Sequence, residues 1–174
     1  MKKLPVFVFL CIFAISLTSC GGRHDPKDKL SIPLSITVTQ GDASSGFTAI
    51  ISDDLSEIRF ESEHIFSGTV LRFSENGNTA SVGELFTREV KDGCFPAQEA
   101  LCKAIRLLNT SEEKGESVEN RIKYTIDEMT IIVYYDKDSD AVIGIETEES
   151  GRRFDFRVVS LTPYEAQSNG AGQS

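Results

Sequence analysis

Histidine occurs twice in this chain and tryptophan not at all. His24 lies in a polar N-terminal stretch and His64 in Glu63-His64-Ile65-Phe66-Ser67-Gly68, and neither belongs to an HExxH motif. With so few imidazoles and two unassisted cysteines, a transition-metal site is poorly supplied. GxSxG, the Walker loop and GxGxxG are also missing, which removes the usual sequence grounds for a nucleophile elbow, a phosphate cradle or a dinucleotide site. Carboxylates number 27, but they scatter over the polar sides of the strands and single out no catalytic pair. The chain is therefore read as non-enzymatic, with no catalytic residue, cofactor or metal assigned. Positive charge is scarce too, with 18 Lys and Arg against those 27 acids and a net charge of −9.

The first residues read as a processing signal. Lys2 and Lys3 form a positive n-region, and Leu4 to Ile15 is an uncharged run too short to span a bilayer comfortably. It ends in Leu17-Thr18-Ser19-Cys20, followed by Gly21-Gly22, the order of a bacterial lipobox whose cysteine is diacylated and becomes the first mature residue. Residues 1–19 are expected to be the signal, Cys20 the lipidation site, and 20–31 a flexible tether. Losing Lys2 and Lys3 leaves 16 basic and 27 acidic side chains, a net −11. Nucleic acid and anionic head groups repel such a chain, so lipid on Cys20 would have to hold it at the membrane. The expected location is extracytoplasmic, on the bacterial cell membrane.

Cys11 leaves with the signal, so the mature domain keeps Cys94 and Cys102. One residue before a helix and one two turns inside it lie roughly 10 Å apart, beyond the ~7 Å a disulfide tolerates. Two free thiols are expected; Cys94 lies near the helix N-terminus, where a reactive thiolate can form, but without a CxxC partner or a nearby histidine an inert thiol is the better reading.

Phe95 to Asn109 is the one convincing helix of the mature chain. Pro96 suits a first helical position, because its missing N–H has no intrahelical partner there. Ala97, Ala100, Leu101, Ala104, Ile105, Leu107 and Leu108 fill one arc, and Gln98, Glu99, Cys102, Lys103, Arg106 and Asn109 take the other.

Short alternating runs surround that helix. Ile32, Leu34, Ile36 and Val38 face one way, with Pro33 marking an edge strand or the start of a strand. Phe47, Ala49 and Ile51 follow, then Ile58 and Phe60, then Leu71 and Phe73 before an Asn76-Gly77 hairpin signal. After the helix, Ile122, Tyr124 and Ile126 alternate with charge, as do Ile131, Val133 and Tyr135, then Ile143 and Ile145, and last Phe154, Phe156 and Val158. Asp136-Lys137-Asp138-Ser139-Asp140 resembles the start of a calcium loop, but Ala141 and Thr147 stand where Gly and Glu are needed, so a hairpin turn is the better reading. About ten strands joined by short turns imply a mainly β (α+β) fold. The expected form is a curved antiparallel sheet or unclosed β-barrel over 32–163, with the helix packed on its concave apolar face. Residues 164–174 are expected to be a disordered tail.

That inward-facing apolar lining is large for one helix to cover. A groove left partly open would take an acyl chain at about 0.8 kcal/mol per buried methylene. Its lining would be Phe47, Ile58, Phe60, Phe73, Leu101, Ile105, Leu108, Tyr124, Ile131, Val133, Phe154 and Phe156. The alternative is that strand ends and loops close over the sheet and make an ordinary core.

The lipobox, the run of strands, Glu61 to Gly68, a strand ending in Asn76-Gly77, one Pro-started helix and four closing strands resemble small clostridial-type lipoproteins. Those in turn resemble the LolA/LolB-like lipoprotein-carrier superfamily. The resemblance covers about Leu30 to Pro163. It implies an unclosed β-barrel with helical elements over an apolar cavity, and a hydrophobic ligand such as an acyl chain. Two functions follow: a membrane-tethered binder of that ligand, or a surface interaction lipoprotein with a filled core. A continuous cavity under the helix would favour the first, and a packed interior with an exposed apolar patch the second. No protein partner is named by the sequence.

Overall fold

Period-two patterning decides most of the architecture. The computed structural model describes residues 25–41, 45–61, 63–83 and 85–165. The signal segment, Cys20, His24 and residues 166–174 lie outside the described residues. Six strands come first: β1 (Leu34–Gln40), β2 (Ser45–Ile51), β3 (Leu55–Phe60), β4 (Thr69–Ser74), β5 (Gly77–Val82) and β6 (Phe86–Val90). Helix α1 (Pro96–Thr110) follows, then β7 (Glu116–Val118), β8 (Arg121–Ile126), β9 (Met129–Tyr135), β10 (Val142–Glu149) and β11 (Arg152–Pro163). All eleven form one antiparallel sheet in the order β6-β5-β4-β3-β2-β1-β11-β10-β9-β8-β7. The sheet is unclosed, with β6 and β7 at its two edges, and α1 is its single α-helix among the described residues. The fold is thus mainly β with one helix on an apolar sheet face.

Tight hairpins set the register. Ser150-Gly151 joins Glu149 to its partner Arg152, with φ of 50° and 76° at the two turn residues, the primed geometry that follows strand twist. The β4–β5 loop is Glu75-Asn76 rather than Asn76-Gly77, because Gly77 already pairs with Ser74 while holding φ 116°. At β9–β10, Asp136 accepts from the Asp138 and Ser139 backbone N–H groups at 3.0 and 2.9 Å and from Ser139 Oγ at 3.0 Å. This hairpin turn uses the very carboxylate that a calcium loop would need. The fully exposed Asp136 carboxyl is held below its ordinary range by those donors, led by the Ser139 N–H.

Two sequence expectations are corrected, and of the two readings of Pro33 the start of a strand holds and the edge strand does not. β1 is a central strand, paired on both sides with β2 and β11, and Pro33 stands just before the first ladder pairs of Leu34, where no N–H is needed. Ile143 does not share a face with Ile145: the register skips from Val142–Tyr135 to Gly144–Tyr134, so Ile143 is the extra residue of a bulge and is exposed, while Val142 turns inward. Cys102 and Gln98, placed on the polar side of the helix, are buried because the curved sheet wraps more of α1 than its apolar arc.

The helix lies across β2 and β10, with β1 and β11 between them in the sheet order. Ala100, Leu101, Ala104, Ile105 and Leu108 join the sheet's inner residues in one core. Residues 25–31, the described part of the stretch expected to be a tether, hold regular structure. Pro26–Leu30 is a 3-10 helix, η1, capped by the Asp25 side chain and packed against α1 and β9. Leu30 is wholly buried, and Tyr124 donates its hydroxyl to Asp25 Oδ1.

Candidate functional site

The twelve residues expected to line a groove do converge on one face. Phe47, Ile58, Phe60 and Phe73 come from β2–β4, Tyr124, Ile131 and Val133 from β8 and β9, and Phe154 and Phe156 from β11. Leu101, Ile105 and Leu108 meet them from α1. Eleven of the twelve are at most 7% exposed, and only Phe154 is half-buried. Edge-to-face ring contacts at 6.2 Å (Phe47–Phe156) and 6.3 Å (Phe47–Phe60) tie the centre of this lining together. In this structure these side chains fill one another's space.

What space remains beside the helix is divided. One crevice of 260 Å³ lies between the N-terminal half of α1 and the β10–β11 hairpin, with Phe154 and the buried Thr147 in its wall. Its mouth carries the Lys103–Glu149 ion pair at 2.5 Å. A second, of 220 Å³, lies on the opposite flank beside Phe73, Cys102, Arg106 and Leu107. Both fall short of the ~300 Å³ at which pockets for drug-sized ligands usually begin, and neither could take a long acyl chain. Two larger hollows, of 430 and 470 Å³, sit by Lys29 and the end of β11, and none of the twelve residues lines them.

The thiols differ sharply. Cys94 is exposed and Cys102 buried, both unpaired. Burial pushes the Cys102 thiol up to about 12, while the neighbouring Ser56 hydroxyl and Arg106 charge pull it the other way. Burial likewise raises Tyr124, helped by its hydrogen bond to Asp25. Among the described residues no cluster of His, Cys, Asp and Glu could hold a metal, and no helix is long and apolar enough to cross a membrane.

Sequence reasoning missed an uncovered corner. Helix α1 packs mainly on β2 and β10 and η1 on β9, all of them away from the β5–β6 wing in the sheet order. There Ile65 is 89% exposed, Phe66 42%, Val82 51%, Leu85 96% and Phe86 51%. The ladder brings them to one place: residues 63–68 lead into Thr69, Thr69 pairs with Val82, and Val82 pairs with Phe86. An aromatic cluster braces the corner from beneath. Phe60 stacks on His64 with 4.5 Å between centroids, and Phe66 meets Phe60 at 5.5 Å and Phe95 at 5.7 Å. His64 Nδ1 accepts from the Phe66 N–H at 3.0 Å, so this half-buried histidine braces the loop. Irregular local sequence around Ile65 and Phe66 hid the feature, and Val82 and Phe86 read as ordinary strand residues.

No family model matches the chain, and no curated protein matches it. Among solved structures, a hypothetical protein from Chlamydia trachomatis (CT021) is similar at 9% identity and a TM-score of 0.36, covering 86% of this chain and 97% of its own. That likeness is too slight to carry over any property.

Proposed function

We propose that this chain is an extracytoplasmic bacterial lipoprotein, held to the cell membrane by lipid on Cys20, that docks a protein partner through the apolar β5–β6 corner. The observation that supports docking over acyl-chain carriage is a pairing: a lining packed to near-zero exposure, and five large apolar side chains left open at one corner. Burying such a patch is a favourable term that a monomer leaves unused. The partner is a protein with an apolar surface flanked by basic groups, because Glu61 and Glu63 stand exposed beside the patch and the mature chain is strongly acidic. Those same charges disfavour an anionic bilayer as the occupant.

The anchor reading rests on the lipobox order. Cys20 and Asp25 are five residues apart, at most about 18 Å, so the domain would be held close to the membrane surface. Cys20→Ala is expected to move the signal-cleaved protein out of the membrane fraction. Docking is tested with a photo-cross-linking residue at Leu85 in intact cells, with Ile143 as the exposed apolar control. A discrete protein adduct from Leu85 and none from Ile143 is the expected result; adducts to lipid alone from Leu85 would overturn the docking reading.

A further inference from the structure

Arg106 of α1 carries a charge with no matching carboxylate. Its Nε donates to the Ser52 carbonyl at 3.3 Å, while Nη2 is buried without a hydrogen-bond partner. No ion pair to this guanidinium occurs among the described residues. The other charged groups of the same crevice, Glu99 and Lys103, are committed. Glu99 accepts from the Gly93 N–H at 2.8 and 3.0 Å, and Lys103 pairs with Glu149. Close by, the wholly buried Ser56 hydroxyl has no partner beyond the neighbouring Cys102 thiol. Arg106 as a whole is half-buried, so its charge keeps part of its solvation, but a shielded N–H donor left unmade is costly, and an anion that accepts from the guanidinium offsets that cost.

Arg106 forms part of the wall of the 220 Å³ crevice, alongside the Phe73 ring and the side chains of Cys102 and Leu107. A guanidinium fork matches a carboxylate or a phosphate. The surroundings choose between them. A phosphate brings nearly two negative charges to a place with one uncommitted cation and the Glu99 carboxylate in the same wall, whereas a carboxylate brings one. The apolar walls suit a short hydrocarbon body. We propose that this crevice binds a small monocarboxylate, with its carboxyl group on the Arg106 guanidinium and its short apolar body between Phe73 and Leu107.

The test uses the mature full-length chain with Cys20→Ala, which removes only the lipid, with sodium hexanoate as probe. Calorimetry should show saturable hexanoate binding, with hexylamine and inorganic phosphate at least about tenfold weaker. Arg106→Gln should lower hexanoate affinity roughly ten- to a hundred-fold, Arg106→Lys should restore part of it, and Arg88→Gln at the sheet edge should change nothing. In the wild-type background, nitrogen NMR should show the Arg106 side-chain resonance moving with hexanoate, a readout that holds even if Arg106→Gln fails to fold. Equal binding by a folded Arg106→Gln protein, an unmoved Arg106 resonance, or phosphate binding as tightly as hexanoate would each overturn the proposal.

Discussion

Asn109 Nδ2 donates to the Leu30 carbonyl at 2.8 Å, and Asn109 Oδ1 accepts from the Ile32 N–H at 3.1 Å. One amide side chain at the end of α1 therefore closes two backbone groups of the segment leading into the central strand. The same Nδ2 also donates to the Ile105 carbonyl at 2.8 Å. Asn109→Ala would leave partly buried groups unsatisfied, at a cost of about 1–3 kcal/mol. Urea unfolding should show that loss, and amide exchange should speed up first in residues 25–33.

Leu101 has no solvent exposure and sits in the middle of the helix–sheet contact. Leu101→Ala is expected to cost about 2–5 kcal/mol, as for well-packed core leucines. A cost well below that range in chemical unfolding would mean that the face is looser than the packing described above.

The two cysteines give a direct reading of burial. Cys94 should alkylate in the folded protein, and Cys102 only on unfolding. Because folding raises the Cys102 thiol from 9.0 to about 12, its contribution to stability is complete below pH 9 and is lost as pH rises from there towards 12, where only the unfolded chain ionises readily. Cys102→Ala should flatten this alkaline decline in thermal melts.

Asp136 behaves in the opposite sense. Folding lowers its carboxyl, so the stability it adds is present above the ordinary aspartate range and fades as pH falls through the lower folded value. Asp136→Ala should melt below wild type at neutral pH, and the gap should close on acidification below about pH 4. A gap independent of pH would show that the turn does not depend on the charged carboxylate.

Much of the fold was legible because alternation and helical period are local signals. Leu34, Ile36 and Val38, or Ile131 and Val133, announce their buried faces in sequence, and Pro96 announces where the helix starts. Bulges are not local in that way. One extra residue at Ile143, or at Val159 between the Thr37–Ser160 and Val38–Val158 pairs, re-aims a side chain without altering composition. The ordered η1 turn was illegible for a related reason: the Asn109 clamp on Leu30 lies 79 residues away. The residues expected to line a groove lie on one face, but sequence alone could not say that Leu101, Ile105 and Leu108 would fill the space between them. Nor could it show the open corner, since Val82 and Phe86 lie on a wing of the sheet away from the strands on which α1 and η1 mainly pack.

Whether the concave face is a closed core or a ligand groove is tested most directly by native mass spectrometry of the full-length protein, extracted from membranes in mild detergent. Phe47, Ile58, Leu101, Ile105 and Ile131 are packed against one another, so the spectrum should show the chain with only its covalent lipid and no non-covalent long-chain acyl ligand. Leu85→Ser and Ile65→Ser at the open corner should leave that spectrum unchanged. A stoichiometric acyl lipid on the wild-type protein, lost when Ile131 or Phe156 is replaced by Gln in a protein still folded, would contradict the closed core and restore the carrier function.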